Sequence, residues 1–314
     1  MQTFANIFEA SDYKSVMVTG GDMYSGYVIA REMLKEKHKH FKHVCVGYYE
    51  ENKFIKLLKK DGAEVIQLCV DDANKIVEVY RKADVVIVVP PVNEHRWGAS
   101  SVAYVLAAKE AGVKGLVLCS KINAKDMRDM DFLAPLCEME QAFDRIKDSM
   151  DAASLVRCSL HIDMMWLFRH QIASEKKICL SVDPHAKFAP MAMMDGARGL
   201  CNMLLDPKHK PGTYELTGPE KLSFKDIAHQ MSSAVDKKIE YKQVKHEEVY
   251  EYLKKRGEIS KNEIEFMCHM LRAVSKGIID KRTDDLKKLL GEEPMSVKHF
   301  LKKSADEFKP KDGE

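Results

Sequence analysis

The stretch Val16–Gly26 constrains the fold of this chain more than any other. An apolar run ends at Thr19, a glycine pair follows at Gly20 and Gly21, and an amphipathic helical pattern begins at Gly26. Glycines permit a sharp turn and a close approach of the backbone to a phosphate, and a helix N-terminus supplies free N–H groups. A strand, a glycine turn and a helix in this order are typical of a dinucleotide-binding domain.

The rest of the first half alternates short apolar runs with helical periods. The predicted strands are Val16–Thr19, Val44–Tyr48, Val65–Val70, Asp84–Val89, Gly115–Ser120 and Ser154–Cys158. The predicted helices are Gly26–Lys37, Glu51–Asp61, Ala73–Lys82, Ser100–Ala111 and Leu136–Ser149. This alternation predicts a doubly wound, parallel α/β sheet whose strands all end along one edge, where a ligand crevice opens.

The pattern changes after Cys158. The predicted strands are Lys177–Val182, Thr213–Leu216 and Ile239–Val244, and the predicted helices are Asp195–Leu205, Ser223–Val235, His246–Arg256, Lys261–Ser275 and Ser296–Phe308. We therefore expect a Rossmann-like core over residues 1–158. A smaller α+β C-terminal lobe, residues 159–314, completes the sheet and covers the crevice. Residues 1–14 are expected to form a short extension, and residues 309–314 a frayed end.

Composition narrows the possible partners and compartment. The net charge of +2 is too balanced for a nucleic-acid partner, and the longest apolar run, Val85–Val92, is too short to cross a bilayer. Eight cysteines without a Cys-x-x-Cys pair, and the lack of a signal-peptide pattern, predict a reduced cytoplasmic protein. No metal site is predicted, because no carboxylate or cysteine pair completes the basic cluster His38–His43. The strand-end thiols Cys119 and Cys158 have no evident cation beside them that would lower their pKa.

Several motifs, taken in order, resemble the NmrA-like family of atypical short-chain dehydrogenases. They are Thr19-Gly20-Gly21, Val88–Pro91, Ser120, Leu155–Arg157, Met194–Arg198, Tyr214–Pro219 and Leu290–Pro294. The resemblance covers nearly the whole chain and implies a Rossmann-like domain with a small C-terminal lobe. It also implies NADP or NAD as cofactor, although its members include sensors and regulators without turnover as well as NADPH-dependent reductases. The cofactor-binding residues implied by the resemblance are Gly20, Gly21, Asp22, Met23, Tyr24, Gly26, Tyr48, Pro90 and Ser120.

The phosphate turn departs from the family pattern. The family's Gly-x-x-Gly-x-x-Gly reads Gly20, Met23 and Gly26 here, so a thioether stands at the glycine where pyrophosphate meets the backbone. This side chain would occupy the phosphate's space unless it swings aside.

Two further cofactor positions are altered. The end of the second strand reads Gly47–Glu50 and has no arginine for a 2′-phosphate, although Glu50 is in reach of a ribose. The family's aspartate after the third strand is replaced by Cys69. These changes predict weakened or lost dinucleotide binding. The alternative is binding through backbone groups with stacking on Tyr48.

The catalytic residues of ordinary short-chain dehydrogenases are missing from their expected helix. Their Tyr-x-x-x-Lys motif follows the fifth strand, but residues 120–154 contain no tyrosine, and Glu138 and Glu140 stand where some members place a lysine. The catalytic candidates that remain are Ser120 and His161. Ser120 is interpreted first as a hydrogen-bonding residue at a strand end, and His161 as a packed residue facing the crevice.

Three functions stay open at this point. The first is a non-catalytic NmrA-like protein, with degenerate dinucleotide binding, that acts as a redox or nucleotide sensor, a regulator or a protein-binding scaffold. The second is an NADPH-dependent oxidoreductase that reduces a quinone or a small carbonyl compound. The third is a self-assembling structural protein on a recruited enzyme fold. The expected partners are accordingly another protein, a second copy, or a small molecule in the crevice.

Overall fold

The computed structural model describes residues 13–37, 39–68 and 71–309, and these form a parallel sheet of seven strands with a separate parallel pair. The strands are β1 (Ser15–Val18), β2 (His43–Tyr48), β3 (Glu64–Gln67), β4 (Val85–Val88), β5 (Gly115–Lys121), β6 (Ala152–Cys158), β7 (Lys177–Leu180), β8 (Thr213–Leu216) and β9 (Glu240–Gln243). The order of the large sheet is β3-β2-β1-β4-β5-β6-β8. This is the doubly wound, Rossmann-like arrangement, and its strand order reverses between β1 and β4.

Eleven α-helices cover the sheet and build the C-terminal part of the described chain. They are α1 (Tyr24–Lys35), α2 (Lys53–Lys60), α3 (Ala73–Tyr80), α4 (Trp97–Ala111), α5 (Ala134–Ile146), α6 (Met193–Leu205), α7 (Phe224–Val235), α8 (His246–Arg256), α9 (Lys261–Ser275), α10 (Asp285–Leu290) and α11 (Val297–Lys303). No helix in the described ranges is both long and apolar enough to span a membrane.

The sheet is buried on both faces, and each face has its own apolar cluster. In β4, Val86 and Val88 pack with the α3–α4–α5 layer, whereas Val85 and Ile87 pack with the α1–α6 layer. Successive side chains of a strand point to opposite faces, so a strand between two helix layers must be apolar throughout. This is why the central strands read as continuous valine and isoleucine runs.

Local capping explains several helix ends. Ser223 begins α7 with a capping box to Asp226, as the sequence predicted. Gly112 follows α4 at φ +68° and Gly62 follows α2 at φ +91°, and glycine adopts both conformations without steric cost.

The C-terminal part contributes to the large sheet and also builds its own layer. Strand β8 pairs with β6, while β7 pairs with β9 beside α7 and α8. Helix α10 packs on α6 and was not predicted, because its apolar pattern is only six residues long. The division of the chain at residue 158 into a Rossmann-like core and a C-terminal lobe stays a prediction.

Some predicted element boundaries were wrong. Helix α1 begins at Tyr24 rather than Gly26, because Met23 takes the N-cap position. The predicted last helix, Ser296–Phe308, breaks at Ser304 into α11 and a 3-10 turn. The predicted end of the third strand at Val70 lies outside the described residues, as do residues 1–12 and 310–314 of the two predicted chain ends.

Candidate functional site

The glycines of the turn after β1 keep the geometry of a phosphate-binding turn. Gly20 has φ +66°. A Cβ on Gly26 would lie 2.0 Å from the Gly20 carbonyl oxygen, so only glycine allows α1 to pack this closely on the turn. The N–H of Gly21 donates to the carbonyl of Gly47 at 2.9 Å, which fixes the turn against β2.

Met23 lies at the point where the strand order reverses. Its side chain is buried, and a Cβ placed on Gly20 would lie only 2.7 Å from the Met23 Cε methyl. The same Cβ would lie 3.2 Å from the carbonyl oxygen of Val89, just after β4. The thioether is therefore folded back over Gly20, between the ends of β1 and β4. This is the crevice in which doubly wound folds bind a dinucleotide.

Asp22 satisfies the backbone at the end of β2 with a carboxylate from the turn. Its Oδ2 accepts from Asn93 Nδ2 at 2.6 Å, from the N–H of Glu50 at 3.0 Å and from that of Tyr49 at 3.2 Å. Asn52 donates to the Asp22 carbonyl at 2.6 Å. Burial raises the pKa of Asp22 despite these donors. A phosphate arriving at the end of β2 would meet a buried acidic group instead of free N–H donors.

Tyr24 connects α1 to the C-terminal part across the crevice. Its hydroxyl donates to Asp163 Oδ1 at 2.7 Å, and Asp163 Oδ2 accepts from the N–H of Met193 at 2.8 Å. The Tyr24 ring also packs edge-on against Trp166, with centroids 5.6 Å apart. Asp163 is buried, and burial raises its pKa. We call the Tyr24–Asp163 hydrogen bond the latch.

Ser120 is held by an ion pair on the side of α5. Its hydroxyl donates to Glu140 Oε1 at 2.6 Å, and Arg157 binds the same carboxylate with Nε at 3.0 Å and Nη2 at 2.6 Å. Glu140 is 1% exposed. Glu140, which stands where some family members place a lysine, thus neutralises Arg157 of β6.

A small cavity remains at the ends of β4, β5 and β6. Its volume is about 80 Å³, and Met23, Pro90 and Phe266 are among the residues that enclose it. Pockets for drug-sized ligands and cofactors measure roughly 300–1,000 Å³. The cavity is therefore too small for a dinucleotide in this conformation.

The polar lining of the cavity includes a lysine that the sequence analysis missed. Lys121, Cys119, Cys158 and His161 all face it. Burial lowers the pKa of Lys121. The sequence analysis found no cation beside Cys119 and Cys158, but Lys121 lies close enough to interact electrostatically with both thiols. Burial nevertheless raises the pKa of each thiol above its ordinary value.

His161 also lines the cavity, as expected from its place after β6. Its Nε2 is buried without a hydrogen-bond partner in the described chain. Burial lowers the pKa of His161 well below its ordinary value, so the neutral imidazole is favoured.

The other positions named from the sequence lie along the same edge. Tyr48 is partly buried at the end of β2, and its carbonyl accepts from the N–H of Leu68 at 2.8 Å. Glu50 is exposed, and Cys69 lies outside the described residues. In the ranges described, no group of three or more His, Cys, Asp or Glu side chains is placed to hold a metal ion.

Comparison with known proteins agrees with this fold. Prestalk A differentiation protein A of Dictyostelium discoideum is 28% identical over 102 residues, which are 32% of this chain and 34% of that protein. The chain thus spans about a third of the length of the curated relatives it matches.

Two solved structures share the fold over most of their length. Triphenylmethane reductase of Citrobacter sp., complexed with NADP(H), has a TM-score of 0.75 and 18% identity, with 93% of this chain and 99% of that chain covered. NmrA, a negative transcriptional regulator in complex with NADP, has a TM-score of 0.71 and 14% identity, with 93% and 95% covered. At these identities the likeness shows the fold alone.

A family model also matches nearly the whole chain. The model described as the NmrA-like family matches residues 12–301, from the start of β1 to the last α-helix. The chain therefore belongs to the NmrA-like family.

Proposed function

We propose that this protein is an NmrA-like regulator or scaffold that has lost ordinary dinucleotide binding. It acts by binding a protein partner, by assembling with its own copies, or by responding to a small molecule in its crevice. The observation that carries this proposal is the Met23 methyl folded over Gly20 at the strand-order reversal. A pyrophosphate needs that surface of the turn to be bare.

Two further features would also weaken dinucleotide binding. The Asp22 carboxylate takes the N–H groups of Tyr49 and Glu50, which a cofactor phosphate would otherwise use. The latch between Tyr24 and Asp163 holds α1 to the C-terminal part above the same edge. A bound dinucleotide would have to displace Met23 and open the latch, and the free energy of both changes would reduce its affinity.

The site also lacks the acid of dehydrogenase chemistry. No tyrosine lies on α5, and the Ser120 hydroxyl is engaged with Glu140. A carbonyl bound there would therefore meet neither the tyrosine nor the lysine that the Tyr-x-x-x-Lys motif places on this helix. This favours a binding role over turnover.

Isothermal titration with NADPH, NADP and NADH tests the proposal directly. We expect no sub-micromolar binding to the wild type, and a measurable gain of affinity in Met23→Gly, because the N-cap position accepts glycine and the turn becomes bare. Met33→Ala, a buried methionine of the same helix away from the turn, is the control that loses packing without opening the site. Sub-micromolar binding to the wild type would contradict the proposal.

An NADPH-dependent reductase is the second candidate. The retained turn geometry at Gly20 and Gly26 favours it, and the solved reductase that shares the fold carries NADP(H). This function requires Met23 to move. NADPH oxidation measured over a panel of quinones and small carbonyl compounds decides the question, and turnover on any of them would favour the reductase.

A further inference from the structure

The register of β5 and β6 brings an amine and an imidazole to one small cavity. Lys121 lies opposite Cys158 in the parallel pairing, and side-chain alternation places it on the same strand face as Cys119. His161 follows β6 by three residues and lines the same cavity. Around them the lining is largely apolar and includes Leu136, Met193, Leu216 and Phe266.

Within the described ranges, the amine of Lys121 has no charge partner. Among the described residues that line the cavity none is a carboxylate, and no hydrogen bond or ion pair joins the Lys121 ammonium to any described residue. Glu140, a buried acid on α5, already binds Arg157 and Ser120. Lys121 is only partly buried, so water reaches part of its side chain, but the apolar lining without a carboxylate still disfavours the ammonium relative to the neutral amine. The lowered pKa of Lys121 agrees with this.

A neutral lysine amine is a nucleophile, and small carbonyl compounds are its usual targets. We propose that Lys121 forms a Schiff base with a small aldehyde or ketone bound in this cavity, and that His161 relays the protons. The proposal rests on the crevice being free of dinucleotide. It specifies small aldehydes and ketones as the class of molecule to which the protein of the proposed function responds.

The chemistry balances without a cofactor. The Nζ lone pair attacks the carbonyl carbon, the C–N bond forms as the C=O π bond breaks, and one proton passes from nitrogen to the carbonyl oxygen. The carbinolamine then loses its C–O bond and a proton from nitrogen, so one imine and one water are made from one amine and one carbonyl. The unpartnered Nε2 of neutral His161 can pass a proton between nitrogen and oxygen.

The cavity volume limits the carbonyl compound. About 80 Å³ suits a molecule of a few heavy atoms, and the apolar lining favours an alkyl substituent over a charged one. Acetaldehyde is therefore the probe, with cyanoborohydride to reduce the imine to a stable ethyl-lysine.

The experiment is limited labelling of the full chain at mildly acidic pH, followed by peptide mapping. A lysine in water is ordinarily an ammonium ion at this pH and labels slowly. Lys60 is exposed and serves as the reference. We expect the label at Lys121 before Lys60, with complete loss of this early label in Lys121→Arg and no loss in Lys60→Arg. His161→Phe should slow the labelling of Lys121 and alter its pH profile. Lys121→Met should fold at least as stably as the wild type, because an apolar side chain replaces an unpaired amine in a largely apolar lining.

A parallel sample with NADPH separates this inference from the proposed function. If NADPH binds tightly and protects Lys121, the crevice holds a dinucleotide and both ideas fail. If NADPH neither binds nor protects, and Lys121 labels no faster than Lys60, the Schiff-base site alone is refuted. Early labelling of Lys121 that NADPH leaves unchanged supports both.

Discussion

The ion pair between Glu140 on α5 and Arg157 on β6 gives the sharpest stability prediction. Glu140 is 1% exposed and Arg157 is 18% exposed, and two hydrogen bonds join them. In Glu140→Gln the guanidinium loses its close charge partner. Glu215, 3.7 Å away, remains as a weaker one. Breaking a buried pair from one side costs about 3–5 kcal/mol, and with Glu215 retained we expect the lower end, about 3 kcal/mol.

Urea unfolding followed by circular dichroism measures this loss as a fall in the midpoint. A double-mutant cycle with Glu140→Met and Arg157→Met gives the coupling. We expect the double variant to be more stable than the sum of the single losses, by at least about 1 kcal/mol, because no charge is left unpaired.

Ser120 donates a hydrogen bond to the same carboxylate, so a variant at Ser120 tests the same contact. Ser120→Ala removes one hydrogen bond to Glu140 while both Arg157 bonds stay, so we expect a loss of about 1 kcal/mol. If Glu140→Gln changes the free energy of unfolding by less than about 0.5 kcal/mol, the carboxylate is not the buried partner described, and the structural account of Ser120 fails.

Three further predictions follow from the crevice. Tyr24→Phe leaves the buried Asp163 short of a donor and should cost about 1–3 kcal/mol in urea unfolding, while Tyr27→Phe, on the same helix, should cost less. Burial raises the pKa of Asp22 in the folded chain above its unfolded value of 3.8. Just above pH 3.8 the folded chain therefore binds more protons than the unfolded chain, and the free energy of unfolding contributed by this group falls as pH rises. Asp22→Asn should flatten this fall in the range just above pH 3.8, and an unchanged slope of the urea midpoint against pH would contradict the assignment. Light scattering after size exclusion should find a defined oligomer if the scaffold includes self-association, and a monomer would leave only partner or ligand binding.

The fold could be predicted because its causes are local and repeated. Fully apolar runs such as Val85–Val88 alternate with helical periods, and handedness rules leave few ways to arrange them. Capping signals at Ser223 and Gly112 gave helix ends for the same reason, since each acts within one turn. Errors came where a break depends on packing, as at Ser304 in the last predicted helix.

The candidate site was predictable only in part. The replacement of a glycine by Met23 is visible in the sequence, but the direction of its side chain depends on Gly20 and Val89. Long-range contacts were invisible, because nothing in the local pattern joins Tyr24 to Asp163 across 139 positions. The sequence therefore identified which positions had changed, and the structure supplies what the new side chains contact.

Lys121 shows the physical reason why part of the site could not be predicted from the sequence. In sequence it is one of many lysines, and only the strand period of β5 connects it to Cys119. Its proposed chemistry depends on Phe266 and Met193, which come from distant segments to line the same cavity. On the proposed function, closure of the crevice has two effects at once. It leaves too little room for a dinucleotide, and burial in it lowers the pKa of the Lys121 amine. A chain that closes an inherited crevice can in this way lose one ligand class and acquire the chemistry for another, which is why dinucleotide affinity and Lys121 reactivity should be measured on the same variants.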